Sequence, residues 1–313
     1  MTRPLRLGTR ASALATAQSQ QVADAVTAAS GRPVELVTVR TVGDTDRAAL
    51  AQIGGTGVFV GALREALLRG EVDFAVHSLK DLPTADPDGL RLAAVPARQD
   101  ARDVLVARDG LTLGELPAGS RVGTGSPRRA AQLLALGLDL VVVPVRGNVD
   151  TRIGLVADGS VDAVVLARAG LARLGRLDAV TEVIDPIQLL PAPGQGALAV
   201  ECREPASPDD HGVADVLAEL DDAATRLAVT GERSLLATLE AGCSAPVGAH
   251  GEPAEGEQYP ELYLRAAVIA PDGSASVRLS ATGPLDDAAR IGRDLAVELL
   301  AEGAADLMME RVT

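Results

Sequence analysis

Three turns of this chain carry polar side chains in an order suited to holding an anion. Thr9-Arg10-Ala11-Ser12 lies between a short apolar run and a helical pattern. Thr124-Gly125-Ser126-Pro127-Arg128-Arg129 repeats that setting, with Ser126 suited to the N-cap and Pro127 to the first helical position. Arg146-Gly147-Asn148-Val149-Asp150-Thr151-Arg152 is a third case, with Asn148 as the cap. A helix N-terminus presents unpaired N–H groups and the positive end of its dipole, and arginine adds parallel donors that match a carboxylate or phosphate edge. Any one of these turns is ordinary capping in an arginine-rich chain. Three together favour a ligand bearing several carboxylates.

Asp73-Phe-Ala-Val-His77-Ser78-Leu-Lys80-Asp81-Leu-Pro83 places an apolar strand directly before a polar turn closed by proline. Asp81 there can accept a proton or stabilise positive charge developing on a substrate nitrogen; the alternative is a loop acid paired with Lys80. Lys80 is the single lysine among 29 basic residues, and its compact ammonium differs from a guanidinium in hydration and geometry. His77 is expected to be packed rather than catalytic, because no second histidine or nearby acid pairs with it in sequence. Cys202 ends an apolar run and reads as inert. Cys243, in Ala241-Gly-Cys-Ser-Ala-Pro246, reads either as an accessible nucleophile or as an ordinary loop thiol.

Two glycine patterns are rejected. Gly194-Gln-Gly-Ala-Leu-Ala199 spells a dinucleotide fingerprint but runs from a proline-rich loop into a strand, the reverse of the required context. Gly54-Gly-Thr-Gly57 lacks the Lys-Ser/Thr ending of a P-loop. No metal site is expected from two cysteines and three histidines without ligand spacing.

The elements that must position these residues alternate. Strands are expected at 5–8, 34–42 and 72–76 with helices at 13–29 and 58–68. The alternation resumes with strands at 104–107, 121–123, 140–145 and 161–166 and helices at 127–136 and 149–157. A strand at 197–202 can return to the first unit, so that the linker crosses twice and acts as a hinge. Beyond 208, helices at 213–220, 223–239 and 285–300 accompany strands at 262–269 and 276–281. The expected architecture is two hinged α/β domains, 1–97 with 197–216 and 101–193, plus a C-terminal α+β domain, 220–313.

Composition narrows the partners. The net charge is −14, all of it attributable to residues 201–313, while 121–176 holds eight arginines against four aspartates. That argues against nucleic acid or an anionic membrane as partner and leaves room for a confined cationic pocket. No apolar run approaches the ~18 residues of a membrane span. The N-terminus does not read as a signal peptide, and the cysteine usage suits a reducing cytoplasm.

In order along nearly the whole chain, Gly8-Thr-Arg-Ala-Ser12 with Gln18, Gly54-Gly-Thr-Gly-Val-Phe59, Val76-His-Ser-Leu-Lys-Asp-Leu-Pro83 and Gly123-Thr-Gly-Ser-Pro-Arg-Arg129 resemble porphobilinogen deaminases. Arg146-Gly-Asn-Val-Asp-Thr-Arg152, Pro191-Ala-Pro-Gly-Gln-Gly-Ala197 and Gly242-Cys-Ser-Ala-Pro246 extend the resemblance. It implies a transferase that joins porphobilinogen units head to tail into hydroxymethylbilane with loss of ammonia. It further implies a dipyrromethane cofactor joined by a thioether to Cys243, Asp81 as the catalytic acid/base, and Arg10, Arg128, Arg129, Arg146, Arg152 and Arg173 as carboxylate partners. Ser12, Ser78, Lys80, Thr124 and Ser126 are implied on the same surface, Gln18 and Gln195 fall in matched motifs, and Phe59 is implied in a loop over the pyrrole rings.

This sequence departs from the family in the loop before Phe59, where many relatives carry lysines and Gln52 and Thr56 stand here. Loop closure or substrate affinity is then expected to depend on Arg64, on Arg47 or on neither. Pro127 stands where relatives often have leucine, with little consequence expected. The family implies a monomer, cytoplasmic, that hands its product to the next tetrapyrrole enzyme. The competing reading is a non-catalytic anion-binding module of the two-domain periplasmic type.

Overall fold

The computed structural model describes residues 3–39, 57–85, 87–204, 212–242, 245–256 and 259–308. In chain order the elements begin β1 (Leu5–Thr9), α1 (Ala13–Ser30), β2 (Val34–Thr38), α2 (Gly57–Leu68), β3 (Phe74–Ser78) and β4 (Leu90–Ala94). There follow β5 (Asp103–Ala107), β6 (Arg121–Thr124), α3 (Pro127–Ala135), β7 (Val141–Pro144), α4 (Val149–Ala157), β8 (Ala163–Ala167), α5 (Arg168–Arg173) and β9 (Glu182–Val183). The chain ends with β10 (Leu198–Arg203), α6 (Val213–Ala218), α7 (Ala223–Thr238), β11 (Val247–Glu255), β12 (Pro260–Ile269), β13 (Ser276–Pro284), α8 (Ala288–Ala301) and α9 (Ala304–Met308). These elements form two compact units, one of 1–98 with 197–226 and the other of 99–196 with 227–313.

The first unit is a mixed five-stranded sheet in the order β2-β1-β3-β10-β4. The strand expected at 197–202 does return here: β10 lies between β3 and β4 and runs antiparallel to both. α1 starts where the Ser12 hydroxyl accepts the Ala15 N–H and ends at Gly31, whose left-handed backbone (φ 66°) lets its N–H reach the Thr27 carbonyl. Its Val22, Ala23 and Val26 face bury against Leu5, Leu7, Phe74 and Val200. β3 is displaced two residues from the expected 72–76, because pairing of Leu198 with Ser78 and Ala199 with His77 carries the ladder into the polar end of the segment.

In the second unit one sheet has the order β7-β6-β8-β5-β9, with β6 parallel to β7 and β8 and β5 antiparallel to β8. A second sheet is the antiparallel meander β11-β12-β13, covered by α7, α8 and α9 over Leu235, Leu262, Leu264, Leu295 and Leu299. α7 and α8 meet backbone to backbone: a Cβ on Gly292 would lie 2.2 Å from the Gly231 carbonyl oxygen. Ala131 of α3, Leu190, and Ala267 and Ile269 of β12 join the two parts in a small shared cluster.

β4 and β11 are strands that the apolar pattern does not reveal. β11 contains Gly248, Gly251 and Pro253 and has an exposed polar half, features tolerated because it is an edge strand. β4, Leu-Arg-Leu-Ala-Ala, is short and follows a proline-rich turn, and its pairing with β10 supplies the strand.

Candidate functional site

β1 and β3 are parallel neighbours, so the turns after Thr9 and Ser78 leave the same edge of the first sheet, where open α/β sheets usually bind ligands. Arg10 and Ser12 follow β1, Ser78 ends β3, and Lys80 and Asp81 follow it, with Leu79–Asp81 forming a 3-10 turn. Gln18, buried on α1, donates from Nε2 to the Ser78 hydroxyl at 2.9 Å and ties the helix to that turn. Leu79 and Leu82 are buried on either side of the polar pair, and the Leu79 N–H donates to the Ala197 carbonyl at 3.1 Å. Asp81 is thus half-buried on a turn whose apolar residues hold it, and among the described residues no hydrogen bond or ion pair claims its carboxylate.

The expectation that His77 has no acid partner is corrected. Its Nε2 lies 3.1 Å from Oε2 of Glu201, which is 2% exposed on β10. Glu201 pairs with Ala75, so Glu201 and His77 are diagonal neighbours on one sheet face. Arg64 of α2 grips the same carboxylate through Nε at 3.1 Å and Nη2 at 2.8 Å. Burial alone would raise the Glu201 pKa; His77 and Arg64 instead hold it at about 2. Arg64 is therefore engaged by a buried carboxylate on β10. Glu201, 137 residues from Arg64, gave no local signal in the sequence.

In the second unit the turns after β6 and β7 again share an edge, that of parallel strands. Ser126 caps α3, its hydroxyl accepting the Arg129 N–H, with Pro127 in the first turn, and Asn148 caps α4 by accepting the Thr151 N–H at 2.8 Å. Thr124 is buried and its hydroxyl accepts the Ser126 N–H at 3.2 Å. Gly125 keeps these turns close, since a Cβ there would stand 2.7 Å from the Val145 carbonyl oxygen.

The six arginines given one task by resemblance divide into two settings and a remainder. Arg128 and Arg129 are 3% and 5% exposed and share the carboxylate of Asp103, which is 0% exposed at the start of β5. Arg128 Nη2 donates to Oδ2 at 2.7 Å and Arg129 Nη2 to Oδ1 at 2.8 Å. Arg128 also donates to the Leu190 carbonyl, and Arg129 to the Val165 carbonyl at 3.2 Å. Gln195, 1% exposed, donates from Nε2 to Asp103 Oδ1 and to the Ala101 carbonyl, both at 2.7 Å. Burial works to raise the Asp103 pKa, but the two guanidiniums hold it far below the usual carboxylate range. Neither Asp103 nor the buried place of Gln195 was expected from sequence.

Arg152 and Arg173 differ, being half-buried with no carboxylate partner among the described residues. Their Nε atoms are buried without a hydrogen-bond partner among those residues. Burial, then the charge of Arg129, lowers the Arg152 pKa; burial alone pushes Arg173 down to about 10. Arg173 keeps one hydrogen bond, from Nη2 to the Gly196 carbonyl at 2.8 Å. Arg146 is exposed after β7, and Arg10 is half-buried. Cys243, Arg47, Gln52, Thr56 and the side chain of Phe59 lie outside the described residues.

Comparison with known proteins gives this arrangement a family. The dipyrromethane cofactor binding domain of porphobilinogen deaminase matches residues 5–210, and the porphobilinogen deaminase C-terminal domain matches 226–301. Porphobilinogen deaminase 1 of Streptomyces avermitilis is 63% identical, the match covering 98% of both chains. The porphobilinogen deaminase of Mycobacterium tuberculosis is 58% identical over 97% of this chain and 98% of its own. A TRAP periplasmic solute binding protein from Desulfovibrio salexigens covers 70% of this chain and 72% of its own at 14% identity, with a TM-score of 0.42. The two family matches favour the enzyme over the non-catalytic binding module. With both of its domain types matched and its relatives aligned end to end, the chain belongs to the porphobilinogen deaminase family.

Proposed function

We propose that this chain is a transferase that condenses porphobilinogen units head to tail, releases ammonia at each addition and frees hydroxymethylbilane by hydrolysis. The carrying observation is the pair of half-buried guanidiniums, Arg152 and Arg173, whose Nε donors lack partners among the described residues. Desolvated positive charge without a protein counter-ion is costly, and a ligand carboxylate relieves that cost. Pyrroles with acetate and propionate arms supply such groups, so the donor set fits a dipyrromethane and the chain that grows from it.

Dipyrromethane, bound as a thioether to Cys243, supplies a pyrrole carbon as the first acceptor. Arg10, Ser12, Ser78 and Lys80 of the first unit and Thr124, Ser126, Arg146, Arg152 and Arg173 of the second bind acidic arms. Arg129 contributes positive charge that adds to the burial lowering the Arg152 pKa. Asp81 stabilises the positive charge that forms as the substrate's aminomethyl nitrogen departs, and then accepts the proton shed by the attacking pyrrole carbon. Gln18 fixes the turn that carries Asp81. Three separate sheets support a three-domain division at 1–97 with 197–216, 101–193 and 220–313. We take the enzyme to be a cytoplasmic monomer that hands its product to the next enzyme; among the described residues no helix is long and apolar enough to cross a membrane.

Intact-protein mass tests the reading. The purified chain is expected to exceed its sequence mass by one dipyrromethane, and Cys243→Ser to abolish the increment together with ammonia release from porphobilinogen. A wild-type chain that turns over porphobilinogen at its bare sequence mass refutes the assignment.

A further inference from the structure

Asp103 lies at the centre of the second unit's cationic cluster. Its carboxylate is fully enclosed, yet three side chains from two other segments converge on it: Arg128 at 2.7 Å, Arg129 at 2.8 Å and Gln195 at 2.7 Å. Oδ2 takes one arginine and Oδ1 takes the other arginine with the glutamine. Two guanidiniums against one carboxylate leave one positive charge in excess. Arg129 carries it toward Arg152, where its field adds to the burial that already lowers that group's pKa.

Gln195 is itself held in place. The preceding N–H, of Gly194, donates at 2.5 Å to Oε2 of Glu232, a 0% exposed carboxylate on α7 whose Oε1 accepts the Gly251 N–H at 2.7 Å. A buried line of polar groups thus runs from α7 through the 194–195 turn to Asp103 and on to the arginines. Buried polar groups connected in this way resist small displacements, because moving one leaves another desolvated and unsatisfied.

We propose that Asp103 is a positioning residue for the deaminase reaction: it fixes the Arg128 and Arg129 guanidiniums at the start of α3, beside the Gly125 turn that Arg152 packs against, in the arrangement that receives the substrate's carboxylates. The inference rests on the function proposed above. Asp103 touches no substrate; its effect passes through the arginines. Lengthening this side chain while keeping its charge therefore displaces the guanidiniums without unpairing them. A misplacement of about 1 Å in a binding constellation costs up to about 100-fold in efficiency.

The test is Asp103→Glu, assayed as holoenzyme for thermal midpoint, for kcat and KM with porphobilinogen, and for porphobilinogen affinity by calorimetry. The expected result is a KM and dissociation constant raised about 10-fold or more, kcat within about 3-fold, and a near-normal midpoint. Gln195→Met serves if Asp103→Glu does not fold, since it removes one restraint on the carboxylate without changing any charge. A rise of about 3-fold or more in KM is expected from it, again with little change in kcat. A lowered midpoint with unchanged KM and affinity in the variant that folds makes Asp103 purely structural and overturns the proposal. A wild-type chain that neither carries the extra mass nor turns over porphobilinogen overturns the proposed function, and this inference with it; active wild type with unaltered variant KM overturns the inference alone.

Discussion

Replacing Arg173 by methionine separates binding from stability, because the same guanidinium weakens the fold and, under the proposed function, holds a ligand carboxylate. Burial pushes its pKa from 12.5 to about 10, a difference that corresponds to about 3 kcal/mol at about 1.4 kcal/mol per unit. The group is partly exposed, so solvent screening reduces this to roughly 1–3 kcal/mol. Against that relief stands the hydrogen bond to the Gly196 carbonyl at 2.8 Å, worth roughly 1.5–3 kcal/mol when the donor is charged. Methionine keeps most of the apolar stem in place. The two contributions nearly cancel, and urea denaturation of the ligand-free protein is expected to change by no more than about 1 kcal/mol. Turnover responds differently. Losing a partly buried charged partner for a carboxylate costs roughly 3–5 kcal/mol, so kcat/KM for porphobilinogen is expected to fall at least about 100-fold. A stability loss above about 3 kcal/mol with kcat/KM within about 3-fold of wild type would show that Arg173 braces the Gly196 turn and binds nothing.

Glu201 links acid stability to the layer beneath the site. Its folded pKa of about 2 lies below the usual 4.5, so its stabilisation is complete above pH 4.5 and disappears as pH falls toward 2. Glu201→Gln is expected to cost about 3 kcal/mol at neutral pH and to flatten the stability profile in that window; equal slopes for both proteins contradict the pairing. Asp81→Asn, which keeps shape and loses charge, is expected to fold normally and to slow ammonia release by about 100-fold or more, and near-normal rates remove Asp81 from the mechanism. Ser126→Ala removes the N-cap of α3 and is expected to destabilise by about 1 kcal/mol in chemical denaturation. An unchanged midpoint would mean that Pro127 alone sets the helix start.

Residues that cap a helix or end a strand act on neighbours a few positions away, and such features are legible in sequence. Ser126 and Asn148 occupy the caps that their spacing implies, and the turns bearing Arg10, Asp81 and Arg146 all follow strands. The linear motifs also place the chain in its family, because a motif is a local pattern. The shifted start of β3 and the unread strands β4 and β11 mark the limit of that reading. Their ladders depend on partners distant in sequence, with β10 pairing β3 and β4.

Which arginine meets an acid is a question of a different kind. Arg128 and Asp103 are 25 residues apart, and Arg64 and Glu201 are 137 apart. Nothing in an arginine's own neighbourhood says whether the folded chain will bring a carboxylate to it. The sequence by itself determined the alternation of elements, the anion-suited turns and a carboxylate at a strand end, all consequences of local geometry and periodicity. Only the tertiary structure decided that Asp103 pairs with both Arg128 and Arg129 while Arg152 and Arg173 stay without a described acid. Ion pairing inside a protein is set by which segments the sheets bring within a few ångströms, and by how much water remains between them.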